Sequence, residues 1–202
     1  MSTLAEQFGQ IDIYLFDQLL RGRIEPGARI LDAGCGRGRN LAYLLRSGFD
    51  VQAVDSSVES VAAVSKLFRE LAPELTGERV HVASLEALPF KDSAFDVVLC
   101  NAVLHFARDD AHFDAMVAEL LRVLAPGGML FARLASDIGI EQVVKPLGDS
   151  RYHLPDGTDR YLVNEARLLR WTERCCGTLL DPIKTTNVQG LRCMTTWVLR
   201  KK

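Results

Sequence analysis

A glycine-rich turn between an apolar strand and an apolar helix is the feature that most constrains how this sequence folds. Residues 29–45 read RILDAGCGRGRNLAYLL, and Gly34, Gly36 and Gly38 separate the two apolar stretches. A strand, a tight glycine turn and a helix in this order form a pocket of the kind that holds a nucleotide. The turn by itself leaves open which cofactor is held and for what chemistry.

The spacing of the glycines argues against two common nucleotide-binding loops. The dinucleotide fingerprint GxGxxG or GxGxxA needs a small residue at a position where this chain has Arg39. A phosphate loop needs Gly-Lys followed by Ser or Thr, and the turn lacks that sequence. A nicotinamide-dependent oxidoreductase is therefore a disfavoured alternative.

Two acidic residues add to the character of the turn. Asp32 directly precedes the glycines, where a carboxylate can meet an ammonium group directly or through water. Asp55 ends the next apolar stretch, DVQAVD, where a carboxylate can bind both hydroxyls of a ribose. The alternative for Asp55 is an ordinary acid at a helix N-terminus. Together the two acids favour a cationic nucleoside over a pyrophosphate.

Strands and helices alternate through the first two-thirds of the chain. After GARILDA, the apolar patterns predict strands at DVQAVD, RVHVAS, AFDVVLCN and MLFARLA. Between them they predict helices at NLAYLLRSG, at SSVESVAAVSKLFREL and over residues 110–124. Ser56 and Glu59 have the spacing of a capping box for the second of these helices. The alternation predicts a parallel sheet with helices on both faces.

The two ends of the chain differ from this pattern. Residues 3–21 have apolar positions at helical spacing and predict one or two lead-in helices. Residues 136–164 are polar and interrupted by Pro and Gly, with PDG as a turn signal. A helix is predicted over residues 165–176, and two strands around Gly190 form a predicted terminal hairpin.

Composition limits the classes of partner. The chain has 202 residues and a net charge of −2, so it shows no basic footprint for nucleic acid or an anionic membrane. No apolar run is long enough to span a bilayer, and no signal peptide is evident, which predicts a cytoplasmic protein. The five cysteines lack CxxC or paired Cys/His spacing, so no metal site is expected.

Four motifs in order resemble those of class I S-adenosylmethionine-dependent methyltransferases. They are ILDAGCGRGRN, VDSS, LEALPFKDSAFDVVLCNAVLHF and LLRVLAPGGMLF, and they span about residues 28–135. GCGRGRN and the ending MTTWVLRKK are particularly similar to tellurite-resistance-type methyltransferases. The resemblance implies an α/β fold with a Rossmann-like, doubly wound, seven-stranded sheet. This sheet would be mostly parallel, with an antiparallel C-terminal strand and helices on both faces.

The expected organisation is a single S-adenosylmethionine-dependent methyltransferase domain over residues 1–202. Its parts would be N-terminal lid helices (1–27), a cofactor-binding core (28–135), a substrate-shaping insertion (136–164), and a helix with the terminal β-hairpin (165–202).

The resemblance also assigns cofactor-binding residues. The backbone around Asp32, Ala33, Gly34 and Gly36 would lie against the methionine part of the cofactor. Asp55 would bind the ribose and Ser56 would lie beside the adenine. Ser84 stands where the family often has an Asp that bonds the adenine amine; a hydroxyl can do less there, so adenine contact would rest on the Leu85 backbone N–H. Asn101, which ends the fourth strand, would face the sulfonium.

Methyl transfer from a sulfonium mainly requires alignment and exclusion of water, and a base is needed only for a protonated nucleophile. His105, just beyond a strand end, is the candidate base, with a pocket-lining role as the alternative. His81 and His112 are interpreted as structural. The remaining candidate substrate-pocket residues are Tyr14 as part of a lid, Arg133, His153 and Arg160.

The predicted function is transfer of a methyl group from S-adenosylmethionine, which becomes S-adenosylhomocysteine, to a small-molecule acceptor by in-line displacement. The protein is expected to be a monomer or homodimer. A non-catalytic S-adenosylmethionine-binding sensor or scaffold is the main alternative. The insertion is expected to shape the acceptor pocket, because loops carry specificity on such scaffolds.

Overall fold

A main sheet and a small antiparallel sheet organise the computed structural model, which describes residues 3–75 and 77–202. The strands are β1 (Arg29–Ala33), β2 (Asp50–Asp55), β3 (Val80–Val82), β4 (Phe95–Asn101), β5 (Leu124–Ser136), β6 (Lys145–Gly148), β7 (Arg151–His153), β8 (Asp159–Tyr161), β9 (Thr178–Leu179), β10 (Lys184–Val188) and β11 (Arg192–Arg200). The helices are α1 (Leu4–Phe8), α2 (Ile13–Leu20), α3 (Leu41–Arg46), α4 (Val58–Leu71), α5 (Asp110–Val123) and α6 (Glu165–Arg174).

The main sheet has the order β10-β11-β5-β4-β1-β2-β3. β1 pairs in parallel with both β2 and β4, and β4 pairs in parallel with β5. β11 is antiparallel to β5 and to β10, and the two-residue β9 is an additional partner of β11. The predicted α/β sheet with its antiparallel C-terminal strand is confirmed, as is the terminal hairpin around Gly190.

The two faces of the sheet carry different helices because side chains alternate along a strand. Ile30, Leu99 and Phe131 pack in a cluster with residues of α2, α3 and α4. Leu31 and Val98, each adjacent in sequence to one of these, pack on the other face in a cluster with α5 and α6. The core strands are therefore covered on both faces, as their unbroken apolar sequences predict.

Three local details differ from the sequence prediction. Residues 145–161 of the insertion form β6, β7 and β8, although their polar sequence predicts only turns. The PDG turn is confirmed within it, between β7 and β8. The N-cap of α4 is Ser57, whose side chain accepts from the Ser60 N–H, so the capping box predicted at Ser56 is wrong. β5 begins at Leu124, five residues before the predicted strand.

No helix in residues 3–75 and 77–202 has both the length and the apolar character that crossing a bilayer requires.

Gly38 provides a test of how the turn packs on the helices. Its φ is +79°, and an added Cβ would lie 2.9 Å from Leu67 Cδ2 and 3.2 Å from Val64 Cγ2. Gly48 has a similar φ of +73°, but a Cβ there would meet nothing within 4 Å. We expect Gly38→Ala to lower the free energy of unfolding in urea by about 1 kcal/mol more than Gly48→Ala. Equal losses would show that the turn does not depend on this packing.

Candidate functional site

The site lies where the carboxyl ends of β1, β2 and β4 meet at one edge of the sheet. The chain leaves β1 toward β2 on one side, while β4 pairs with β1 on the other, which makes this edge a topological switch point. A cavity of about 530 Å³ opens there. Its lining residues are Gly34, Gly36, Asp55, Ser56, Ser84, Leu85, Glu86, Ala102, Val103, Phe106, Arg108, His112 and Met116.

Asp55 holds the glycine turn against the start of α4. Its Oδ2 accepts from the Gly36 N–H at 2.8 Å, and its Oδ1 accepts from the Ser57 N–H at 2.9 Å. An ionised carboxylate has about four acceptor sites, so both oxygens can accept further hydroxyl donors. Gly36 has φ +52°, and a Cβ on it would meet only open space. The turn thus presents bare backbone and a fixed carboxylate to the cavity.

Asp32 is the most unusual group of the site. The residue is 1% exposed, and neither carboxylate oxygen has a hydrogen-bond partner among the described residues. Burial raises the pKa of Asp32 to about 7, and the positive charge of Arg39 opposes this rise. A buried carboxylate without a partner is costly unless a cationic or donor group meets it. Asp32 therefore fits the ammonium group that the sequence predicts for the cofactor.

Ala102 stands between the first cavity and a second one. It lines both, and its N–H donates to the Arg133 carbonyl at 2.7 Å. Its φ is +65°, a left-handed conformation that is uncommon for a residue with a Cβ. The second cavity has a volume of about 300 Å³. Its lining residues are Ala102, His105, Arg133, Ala135, Leu154, Asp156, Thr158, Arg160, Val188, Arg192, Cys193 and Met194.

His105 is 7% exposed and lines the second cavity. Its Nδ1 accepts from the Ala135 N–H at 3.3 Å, which assigns the proton of the neutral ring to Nε2. Burial, together with the positive charges of Arg160 and Arg133, lowers the pKa of His105 to about 4. At neutral pH the ring is therefore an uncharged donor at Nε2, with its acceptor nitrogen occupied. This geometry counts against the predicted base role and favours the pocket-lining alternative.

Asp12, immediately before α2, ties the lead-in segment to the carboxyl edge of the sheet. Its Oδ2 lies 3.2 Å from Arg39 Nη2 and 3.3 Å from Arg133 Nη1, and its Oδ1 caps α2 at the Tyr14 N–H. Arg39 Nη2 also donates to Asn101 Oδ1 at 3.0 Å. Asp12 and Arg133 are largely buried, so their ion pair is poorly screened by solvent, whereas the Arg39 side chain is 46% exposed. Sequence analysis did not single out Asp12.

Asp12, Arg39 and Arg133 form a group of charged residues that we call the Asp12 cluster. Tyr14 and Asn101 contact this cluster and do not line a cavity. The Tyr14 hydroxyl pairs with Thr186 Oγ1 of β10 at 2.7 Å, and the Arg133 guanidinium lies 5.3 Å from the Tyr14 ring centroid. Asn101 Nδ2 is buried and has no partner among the described residues. Neither Tyr14 nor Asn101 is among the residues that line the two cavities. The lead-in segment thus covers the sheet edge, and Tyr14 fixes it to the terminal hairpin.

The other predicted site residues divide into those that line one of the two cavities and those that do not. Those that line a cavity are Gly34, Gly36, Asp55, Ser56, Ser84 and Leu85 in the first, and Arg133 and Arg160 in the second. Ala33 is fully buried in the core beneath the turn. His153 is exposed and paired with Asp159 Oδ1 at 2.7 Å, so the structure does not bring it into either lining.

Several lining residues escaped the sequence analysis. Glu86, Phe106, Arg108, His112 and Met116 line the first cavity, and Arg192 and Asp156 line the second. His112 was interpreted as structural from its place near a helix start; its Nε2 lies 3.3 Å from Glu86 Oε2. Proximity to the LEALPF and LHF motifs is a usable signal for Glu86 and Phe106. No local pattern marks Arg192, which reaches the cavity through the terminal hairpin.

Comparison with known proteins decides the family. A family model described as a methyltransferase domain matches residues 31–132, half of the chain. The chain belongs to the class I S-adenosylmethionine-dependent methyltransferases. The chain is 38% identical over 120 residues to the uncharacterized methyltransferase YodH of Bacillus subtilis. That match covers 59% of this chain and 46% of YodH, so the chain spans less than half the length of this curated relative.

Solved structures of low sequence identity share the fold. One is 1,6-didemethyltoxoflavin-N1-methyltransferase of Burkholderia thailandensis, solved with 1,6-didemethyltoxoflavin and S-adenosylhomocysteine bound. It is 21% identical with a TM-score of 0.70, over 96% of this chain and 80% of that chain. TehB of Haemophilus influenzae is 20% identical with a TM-score of 0.67, over 93% and 62%. The narrower resemblance to tellurite-resistance-type methyltransferases stays a prediction, because such identities show the fold alone.

Asp32→Asn should separate stability from cofactor binding. Because the folded-state pKa of Asp32 is raised from 3.8 to about 7, wild-type stability falls as pH rises through this interval. The isosteric amide removes that loss, so at pH 8 the ligand-free variant should be more stable by roughly 2–4 kcal/mol. The gain should shrink at pH 5. Urea unfolding at both pH values measures it.

The same variant should bind S-adenosylmethionine about tenfold or more weakly in calorimetry, because it loses a charged contact to the ammonium group. Lower stability at pH 8 together with unchanged affinity would contradict the assigned role of Asp32.

His105→Asn tests the buried neutral imidazole. The folded-state pKa of His105 is lowered from 6.5 to about 4, so the unfolded chain takes up a proton first on acidification. Wild-type stability should therefore fall between pH 6.5 and pH 4, by roughly 2–3 kcal/mol from this residue. Asn can accept from the Ala135 N–H but does not titrate. Urea unfolding should show that the free energy of unfolding falls less between pH 7 and pH 4.5 in the variant than in the wild type. Equal decreases in the two proteins would refute a lowered pKa of His105.

Proposed function

We propose that this methyltransferase domain binds S-adenosylmethionine in the first cavity and transfers its methyl group to a small molecule held in the second. The observation that carries the proposal is the junction at Ala102, because one residue lines both cavities at the switch point of the sheet. A donor and an acceptor bound on either side of this residue would meet there. In-line displacement requires such an arrangement of two ligands.

The chemistry of the first cavity suits the cofactor, together with Asp32 and Asn101, which are close to lining residues in sequence but do not line the cavity themselves. The unpartnered Asp32 carboxylate and the bare backbone at Gly34 and Gly36 would hold the methionine part, with Asn101 toward the sulfonium. Asp55 would accept from the ribose hydroxyls through its remaining lone pairs. The adenine would lie against Ser56, Ser84 and the Leu85 backbone N–H, and all three residues line the cavity. The bound cofactor supplies an activated methyl group on a sulfonium.

The remaining task of the chain is alignment and exclusion of water. The Asp12 cluster and Tyr14 hold the lead-in segment over the edge where donor and acceptor meet. His105 contributes a neutral N–H donor to the acceptor cavity and lacks a free basic nitrogen. We infer that the acceptor atom arrives with an available lone pair and that His105 orients it.

A small-molecule acceptor fits the dimensions of the second cavity. About 300 Å³ lies at the lower end of the usual range for small-ligand pockets. β7 and β8 place Leu154, Thr158 and Arg160 in its wall, which supports the expectation that residues 136–164 shape the acceptor pocket. The B. thailandensis relative was solved with a small molecule as well as S-adenosylhomocysteine. A cytoplasmic location and a monomer or homodimer stay predictions.

Asp55→Ala tests the cofactor assignment. It removes the carboxylate that would accept from the ribose, and we expect calorimetry to show S-adenosylhomocysteine binding weakened by about 1–3 kcal/mol. Glu59→Ala is the matched control, because it removes an exposed carboxylate in the first turn of α4 that does not line the cavity. Wild-type binding weaker than millimolar would overturn the proposal, and equal affinities for the two variants would exclude the ribose role.

Turnover separates an enzyme from a sensor or scaffold. Labelled S-adenosylmethionine, incubated with the protein and a pool of small-molecule metabolites, should yield a labelled product in a single turnover. Tight S-adenosylhomocysteine binding without transfer to any pool would favour the sensor.

A further inference from the structure

The acceptor cavity is lined by an unusual number of cationic groups for its size. Arg133, Arg160 and Arg192 come from three separate strands or strand ends and converge on about 300 Å³. Asp156 is the one carboxylate among the described residues of this lining. Charged side chains on a concave wall focus their field into the enclosed space. The lining therefore favours an anionic occupant.

The three guanidinium groups are not equally neutralised. Arg133 Nη1 lies 3.3 Å from Asp12 Oδ2, but Asp12 also forms an ion pair with Arg39. The buried Arg133 Nε has no hydrogen-bond partner among the described residues. Arg192 Nη1 is 3.9 Å from Asp156 Oδ2, at the limit of an ion pair. Two carboxylates thus offset part of the charge on these two arginines.

Arg160 has no carboxylate within ion-pair distance in the described part of the chain. Its Nη1 donates to the Asp159 carbonyl at 2.8 Å, and its guanidinium lies 5.1 Å from the Phe106 ring centroid. Stacking on an aromatic face fixes the plane of the group and leaves its edge donors directed elsewhere. Arg160 is therefore held in place without a direct ion-pair partner, and its charge effect on a carboxylate of the lining is that it helps to lower the pKa of Asp156.

The electrostatic effect of these cations is already visible at His105. After burial, the positive charges of Arg160 and Arg133 are the causes that lower its pKa. Leu154, Val188 and Met194 supply apolar surface to the same cavity. An occupant that matches both properties carries one anionic group on a short apolar body.

Resting on the proposed function, we propose that the methyl acceptor is a small monoanionic carboxylate, whose carboxylate is bound by Arg160 with Arg133 and Arg192. A planar carboxylate matches the two-pronged donor geometry of a guanidinium. The neutral His105 Nε2–H adds an uncharged donor. A monoanion is favoured over a dianion because Asp12 and Asp156 already balance part of the arginine charge.

Isosteric probes test this proposal without knowledge of the natural acceptor. Hexanoate and hexanamide differ in charge but hardly in shape, and calorimetry with the S-adenosylhomocysteine complex measures each. Wild-type protein should bind hexanoate about tenfold or more tightly than hexanamide, because a charged hydrogen bond contributes more than a neutral one. Equal affinities, or no detectable binding of hexanoate at millimolar concentration, would overturn the proposal.

Arg160→Gln should weaken hexanoate binding about tenfold while hexanamide and S-adenosylhomocysteine binding stay unchanged. Arg170→Gln, at an exposed position of α6 outside the lining, is the matched control and should change none of the three. Arg192→Gln provides a second variant should Arg160→Gln fold poorly. Undiminished hexanoate binding in a folded Arg160→Gln protein would exclude Arg160 as the anchor.

S-adenosylhomocysteine affinity keeps the two proposals distinguishable. If the wild-type protein does not bind it, the proposed function fails, and hexanoate discrimination is then measured on the protein alone. If the wild-type protein binds S-adenosylhomocysteine but binds hexanoate and hexanamide equally well, the proposed carboxylate acceptor is wrong while the cofactor assignment stands.

Discussion

The parallel pairing of β1 with both β2 and β4 is the constraint on which the rest of the structure depends. It brings the carboxyl ends of three strands to one edge, so that Asp32, Asp55 and Asn101 lie near each other although 69 residues separate the first from the last. β5 then extends the edge, with Arg133 in register with Asn101. Both cavities open at this edge because the helices diverge where the strand order reverses.

The lead-in segment couples the two halves of the site through one buried carboxylate. Asp12 contacts Arg39 from the glycine-rich turn and Arg133 from the acceptor side, and it caps α2 through Tyr14. In the structure Arg39 serves as a partner of Asp12, whereas the sequence analysis considered it only as a mismatch to the dinucleotide fingerprint. The bulky side chain that counts against a dinucleotide site in the sequence also anchors the segment that covers the carboxyl edge of the sheet.

Two buried titratable groups show that the site is not arranged for stability alone. Asp32 lacks a partner within the described chain, and His105 is held neutral between arginines. Each would be replaced at little structural loss by an uncharged residue of similar shape. Groups of this kind are retained at functional sites because a ligand completes their interactions. The carboxylate suits the cationic cofactor, and the arginine field suits an anionic acceptor.

Local patterns carried most of the fold prediction. Apolar alternation and periodicity in residues 28–135 predicted the order and type of the core elements, and the motifs identified the family that comparison confirmed. The strands β6, β7 and β8 escaped prediction because they are short and lack an apolar alternation, and of their residues only Tyr161 is buried in the core. The shift of the α4 N-cap from Ser56 to Ser57 depends on how Asp55 engages the turn.

The sequence by itself identified Gly34, Gly36, Asp55 and neighbouring residues that line the first cavity, because they are adjacent to strand ends whose order the alternation reveals. Tertiary structure decided how the second cavity is assembled, although the sequence had already singled out His105, Arg133 and Arg160 as candidate pocket residues. Asp12, Arg133, Arg160 and Arg192 come from four distant segments, and only the packing of the lead-in helices, the small sheet and the terminal hairpin brings them to one edge. The tertiary structure also decided the protonation state and the tautomer of His105. Burial keeps its ring neutral, and the hydrogen bond from the Ala135 N–H leaves the proton on Nε2.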